Sequence, residues 1–184
     1  MSAQDPSQQY LAEGEECLAV EDWNGAIAAF QKAAAAAPSS AHAQSKLGVA
    51  YVHKQQWDEA QTSFLKAIQL DPRYAPAHSN LGNVYRERGR LDEAVACYQK
   101  AIAMDPDYWI AHQNLGIVYK QQKRVAEAVR EFKTATKLSL RAGTKSYGPD
   151  VPRKRPERAS RMGCLGSAGM TVLLLVAVAI SARR

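Results

Sequence analysis

Apolar residues between positions 7 and 142 recur at spacings of three and four, the mark of helices that each bury one face. The pattern restarts on a fixed period. Gly14, Gly48, Gly82 and Gly116 stand 34 residues apart, and at equal offsets come Ala26, Ala60, Ala94 and Ala128, then Phe30, Phe64, Tyr98 and Phe132, then Ala33, Ala67, Ala101 and Ala135. Polar breaks such as Lys54-Gln55-Gln56 and Arg88-Gly89-Arg90 divide each period into two helices. Pro38, Pro72 and Pro106 close the period, because proline lacks an N–H and biases its predecessor away from helix; Leu140 breaks this series. Asp58-Glu59 and Asp92-Glu93 open the second helix with negative charge at the positive end of its dipole. A period this long predicts an all-α stack of helical hairpins that presents a surface rather than an enclosed catalytic pocket.

The residues at fixed places in the period are Leu47-Gly48…Tyr51, Leu81-Gly82…Tyr85 and Leu115-Gly116…Tyr119, with the runs SNLGNVY, QNLGIVY and LDEAVACYQKAIAMDP. They resemble the tetratricopeptide repeat over roughly three quarters of the chain. The resemblance implies a right-handed α-solenoid of four helix-turn-helix units: 7–40, 41–74, 75–108 and 109–142. Residues 1–6 are read as a disordered N-terminus. The small residues at positions 8, 20 and 27 of each unit let paired helices approach, and the aromatic at position 24 fills the remaining space. The first unit departs most, with Glu13 and Cys17 in place of Leu and Tyr. In the last unit Thr136 replaces the Ile of Ile68 and Ile102, and Arg130, Lys133 and Lys137 make the final helix polar outside. A terminal unit needs such a wettable face, so the array should end with a helix that stops near Gly143.

In the family, positions 2, 5, 6, 9, 12 and 13 of each unit line the concave groove. The resemblance therefore implies a peptide-binding set of Lys46, Val49 and His53 from the second unit, with His42 and Ser45 beside them. The third unit supplies Ser79, Asn80, Asn83, Arg86 and Glu87, and the fourth supplies Gln113, Asn114, Ile117 and Lys120, with Ile110 and Gln121. Asn80 and Asn114 share a position one repeat apart, about 10 Å by family geometry, close to three residues of extended peptide at about 3.3 Å each. An Asn amide both donates to and accepts from a backbone, so the pair resembles the asparagine ladder of O-linked N-acetylglucosamine transferases, interrupted here by Ala12 and Lys46. A carboxylate clamp of the chaperone-binding kind is not matched: its places read Leu11, Glu15, Lys46, Pro76 and Asn80, or Ser45, Val49, Asn80, Ile110 and Asn114.

Charge changes the picture only at one end. The net charge is +6, yet residues 1–142 hold 16 basic and 16 acidic side chains, and 143–184 hold 8 basic against 2 acidic. A folded part without excess charge does not predict nucleic-acid binding. Cys17, Cys97 and Cys164 lack metal-ligand spacing, the first two being read as small core residues. His78 and His112 share position 4, about 10 Å apart by repeat geometry, too far to share a metal whose ligands sit near 2 Å. They are read as packing on the preceding unit, and Trp23 and Trp57 as core residues at the hairpin. No catalytic residue, cofactor or metal site is expected. No basic, apolar leader is seen in residues 1–20, which predicts a reducing compartment for the array.

Residues 143–161 read as a linker with three prolines and clustered charge, and 162–182 as a transmembrane tail anchor. The 21 residues between Arg161 and Arg183 carry no charge, and a helix of that length, at 1.5 Å rise, matches a hydrocarbon core of about 30 Å. Arg153, Lys154, Arg155, Arg158 and Arg161 precede it and form a basic membrane-surface set; the C-terminal Arg183 and Arg184 follow. That imbalance predicts the array on the cytosolic side. A moderately apolar span with basic flanks resembles tail anchors of the mitochondrial outer membrane more than those of the endoplasmic reticulum, and leaves a bacterial inner membrane open. Together these features predict a non-enzymatic adaptor that binds a peptide or helix of a protein partner and tethers it to a membrane, with weak self-association as a further option. Two other readings are a soluble, co-chaperone-like adaptor whose tail docks on protein, and the regulatory or substrate-recognition arm of an enzyme complex.

Overall fold

The computed structural model describes residues 5–142. Eight helices follow one another: α1 (Pro6–Ala19), α2 (Trp23–Ala36), α3 (Ala41–His53), α4 (Trp57–Leu70), α5 (Ala75–Glu87), α6 (Leu91–Met104), α7 (Trp109–Gln121) and α8 (Val125–Ala142). Consecutive helices pair as α1–α2, α3–α4, α5–α6 and α7–α8, and each second helix packs on the first helix of the next unit. The first helices also touch in sequence, α1 on α3, α3 on α5 and α5 on α7, so they form one continuous side of the array. No strand occurs among the described residues.

The expected close approach is present. A Cβ built on Gly48 would lie 2.6 Å from the Phe64 ring, on Gly82 2.7 Å from Tyr98, and on Gly116 2.8 Å from Phe132. Phe30, Phe64 and Tyr98 are fully buried there, with Ala26, Ala60 and Ala94 beneath them. The first three hairpins are therefore each held by a buried aromatic ring lying on a glycine backbone, worth about 3 kcal/mol or more per ring by the usual cost of deleting one. Phe132 of the fourth is only half-buried.

All four hairpin turns have the same geometry. The second residue after the first helix is left-handed: Glu21, Gln55, Gly89 and Lys123 have φ of 61, 59, 74 and 62°. The next amide reaches back five residues, as in Gln56 N–H to Tyr51 O at 3.0 Å and Arg90 N–H to Tyr85 O at 2.9 Å. The left-handed residue's own amide bonds three back, as in Gln55 N–H to Val52 O at 2.9 Å. This is the Schellman stop, which favours glycine, yet only Gly89 supplies one. Gln55→Gly and Lys123→Gly should each stabilise the array by up to about 1 kcal/mol, and Gly89→Ala should cost about 1 kcal/mol, in thermal unfolding.

At the N-terminus the structure corrects the sequence reading. Pro6 is the first residue of α1, and Asp5 caps it by accepting from the Ser7 N–H at 3.0 Å. Proline suits a first helical position because its missing donor would be unpaired there anyway. At the other end α8 runs to Ala142, the last described residue, and the expected stop near Gly143 lies outside the described residues. No described helix is long and apolar enough to cross a membrane; the linker 143–161, the segment 162–182 and the basic set Arg153–Arg161 lie outside the described residues.

Candidate functional site

The side formed by α1, α3, α5 and α7 carries the predicted groove residues, but they differ in access. Glu87, Gln113 and Lys120 are exposed, and Lys46, His53, Arg86 and Ile117 are half-buried. Val49, Ser79, Asn80, Asn83 and Asn114 are buried, Ser79 completely, because they sit where one first helix meets the next. The face a partner would meet is thus narrower than six positions per unit, and its accessible part is mainly charged and amide-bearing.

Charges on this face are ordered within the array. Lys46 on α3 pairs with Glu15 on α1 at 3.2 Å, and Arg86 with its neighbour Glu87 at 3.0 Å. Such pairs near the surface contribute little to stability, so their value is in holding long side chains in place. His53 stacks flat on Trp23 of the preceding unit, ring centroids 4.3 Å apart. Burial lowers its pKa, with the Glu21 carboxylate opposing that shift, so His53 is held towards the neutral form. Trp23 and Trp57 are half-buried rather than core, since the hairpin end is open to solvent on one side.

The asparagines do more inside the array than the spacing implied. Asn83 Oδ1 accepts from Tyr98 Oη at 2.8 Å and from Asn114 Nδ2 at 3.1 Å, joining α5, α6 and α7 at a buried point. Asn114 therefore spends one donor within the fold. Asn80 is the opposite case: its Nδ2 is buried with no hydrogen-bond partner, as is Ser79 Oγ.

Two further series tie units together and were missed in the sequence. Lys54 donates to Asn24, Arg88 to Asp58 and Gln122 to Asp92, each 30 residues back in the preceding unit. Gln31 and Gln99 donate to Tyr51 and Tyr119 of the following unit. The only signal was a polar residue recurring at one offset, which becomes meaningful once the stacking register is known. His78 and His112 bind the carbonyls of Pro72 and Pro106 through Nε2, at 2.9 and 3.3 Å, and His112 Nδ1 lies 2.7 Å from Glu131. They pin the loop from the preceding unit, as the sequence suggested. Cys97 is buried and its thiol is pushed up to about 11 by desolvation, whereas Cys17 is half-buried. Cys164 lies outside the described residues.

Comparison with known families agrees with this geometry. Models described as TPR repeat match residues 50–85 and 82–123, and models described as tetratricopeptide repeat match 18–66 and 111–141. The chain belongs to the tetratricopeptide-repeat family. Among solved structures, MamA is 29% identical over 76% of this chain and 81% of its own, with a TM-score of 0.64. PilF of Pseudomonas aeruginosa is 27% identical over 73% of this chain and 62% of its own, with a TM-score of 0.68. The tetratricopeptide-repeat domain of Arabidopsis OM64, 19% identical with a TM-score of 0.59 over 62% of this chain and 95% of its own, shares the fold. No curated protein matches in sequence. A tetratricopeptide-repeat array of this kind is a protein–protein interaction scaffold.

Proposed function

We propose that this scaffold captures an extended peptide or helix of a protein partner along α3, α5 and α7, and that residues 162–182 hold it at a membrane with the array in the cytosol. The observation that carries the reading is the continuous side made by successive first helices, with Lys46, His53, Arg86, Glu87, Gln113 and Lys120 accessible along it. Asn80 is the better of the two amide rungs. Its nitrogen is unpartnered but buried, so a ligand carbonyl would meet it only where the contact between neighbouring first helices opens, and would then remove a desolvation cost. The uncharged stretch flanked by basic residues supports the membrane half of the proposal, and the mitochondrial outer membrane is preferred over the endoplasmic reticulum for its basic flanks.

The two halves are separable by proximity labelling in cells. With the full chain, Arg86→Glu with Lys120→Glu should remove the partner set by at least about tenfold while leaving membrane proteins labelled. Deleting 162–182 should do the reverse, keeping the partner and losing the membrane. An unchanged partner set in the charge-reversed chain ends the groove reading, and unchanged membrane labelling after the deletion ends the anchor. Partner capture by a chain that never meets a membrane would leave the soluble adaptor as the better account.

A further inference from the structure

The two ends of the array are not alike. Within it, positions 3, 7 and 10 of a first helix are covered by the preceding unit: Ala77, Leu81 and Val84 on α5 and Ala111, Leu115 and Val118 on α7 are all buried. On α1 the same places hold Gln9, Glu13 and Glu16, all exposed and gathered in one shallow concavity. On α8 the converse holds. Val129 is 45% exposed where its equivalent Val95 is 9% exposed, and Phe132 is half-buried where Phe30, Phe64 and Tyr98 are fully buried. A groove on α8 is lined by Val129, Phe132 and Thr136, with Lys133 and Lys137 along it and Leu140 at its end.

We propose that α8 of one copy receives α1 of a second copy, so that the array continues head to tail across two chains. The internal register sets the match. Position 25 of a unit reaches position 11 of the next, as Gln31 reaches Tyr51 and Gln99 reaches Tyr119. Positions 27 and 28 share a buried cluster with positions 3 and 7 of the next unit, as Ala33 and Ala34 do with Ala43 and Leu47. Carried across the joint, that register sets Lys133 at Cys17 of the second copy, one residue from its Glu16. It sets Ala135 and Thr136 at the second copy's Gln9 and Glu13, with Lys137 next along α8 within a side chain's reach of Glu13. Neither lysine nor either glutamate has an ion pair within the described array, so each is available to the joint. The acidic concavity and the basic, apolar groove are complementary in charge, and a self-facing pairing of α8 would set Lys133 and Lys137 against their own copies. Because the joint covers Gln9, Glu13 and Glu16 where internal joints cover Ala, Leu and Val, it is weak, salt-sensitive and reversible. A heterologous contact of this kind does not close by two-fold symmetry and adds copies in a row.

The test uses the full chain in detergent micelles, mixed as equal parts of unlabelled and nitrogen-15-labelled protein and treated with a zero-length carbodiimide. Hybrid-mass peptides joining Lys133 to Glu16 and Lys137 to Glu13 are the expected result, with yields falling several-fold as salt rises from about 0.05 to 0.5 M. Glu13→Lys with Glu16→Lys should weaken association about tenfold, as should Lys133→Glu with Lys137→Glu. Mixing those two variants should restore it, through the reversed ends. All four sites are on the surface, and an unchanged helical dichroism spectrum verifies folding. Cross-links confined to one chain, or association that survives charge reversal at one end, would overturn the proposal, as would hybrid links joining α8 to α8.

Discussion

Phe64→Ala should cost about 3–5 kcal/mol and split the array's single unfolding transition. The ring is fully buried and lies against the Gly48 backbone, with Ala60, Leu81 and Val84 completing its surroundings. No neighbour can fill the space, because Gly48 and Ala60 have nothing to extend into it. Phe64 also sits at the joint between the second and third units, so its loss weakens both the hairpin and the stacking contact. Stability in a solenoid is close to a sum of unit and nearest-neighbour terms, so removing a joint uncouples the first two units from the last two. The expected record is a broadened or two-step melt by circular dichroism, with a shallower denaturant slope for each part. Phe132→Ala is the control: that ring is half-exposed at the end of the array, and its loss should cost clearly less. Gly48→Ala should be destabilising by about 1–3 kcal/mol, since its Cβ would lie 2.6 Å from the ring. Gly48→Ala with Phe64→Leu should cost less than the two changes added together, because the smaller side chain vacates the space that the new methyl needs.

The Gly48–Phe64 contact could be read from the chain alone because glycine and ring recur together four times at a constant offset, and one chance pairing would not. The helix limits were legible for the same reason: the turns at Gln55 and Gly89 and the stops at Asp71-Pro72 and Asp105-Pro106 repeat their local chemistry. The inner face was harder. A rule that assigns six positions per unit to a groove ignores that neighbouring first helices touch, and this contact buries Ser79 and Asn80. Asn83 and Asn114 looked interchangeable with any exposed amide, because their bond to each other spans 31 residues and depends on side-chain rotamers. The two-residue disagreement at the N-terminus is a local matter: Asp5-Pro6 is a good helix start, but it lies outside the repeat and carries no periodic signal.

Asn83→Ala should destabilise by about 3 kcal/mol, far more than a typical change on a groove-lining helix. One oxygen, Asn83 Oδ1, serves two buried donors, Tyr98 Oη and Asn114 Nδ2. Removing it leaves both without an acceptor in a place where each polar group is nine-tenths or more buried. An unmet buried donor costs about 1–3 kcal/mol, and two share this fate. Asn83→Asp supplies oxygen acceptors for the same donors but asks the fold to bury a charge, so it should recover only part of the loss at neutral pH. Tyr98→Phe separates the contributions. It removes one donor along with its need, leaving the Asn114 bond intact, and should cost about 1 kcal/mol. In Tyr98→Phe the further change Asn83→Ala should then cost less than it does in the parent chain, and the difference measures the coupling through the shared oxygen. If Asn83→Ala melts within about 0.5 kcal/mol of the parent, water reaches this point of the stack. The junction of α5, α6 and α7 would then be open to the groove, and Asn83 would be a contact for the partner rather than a tie within the array.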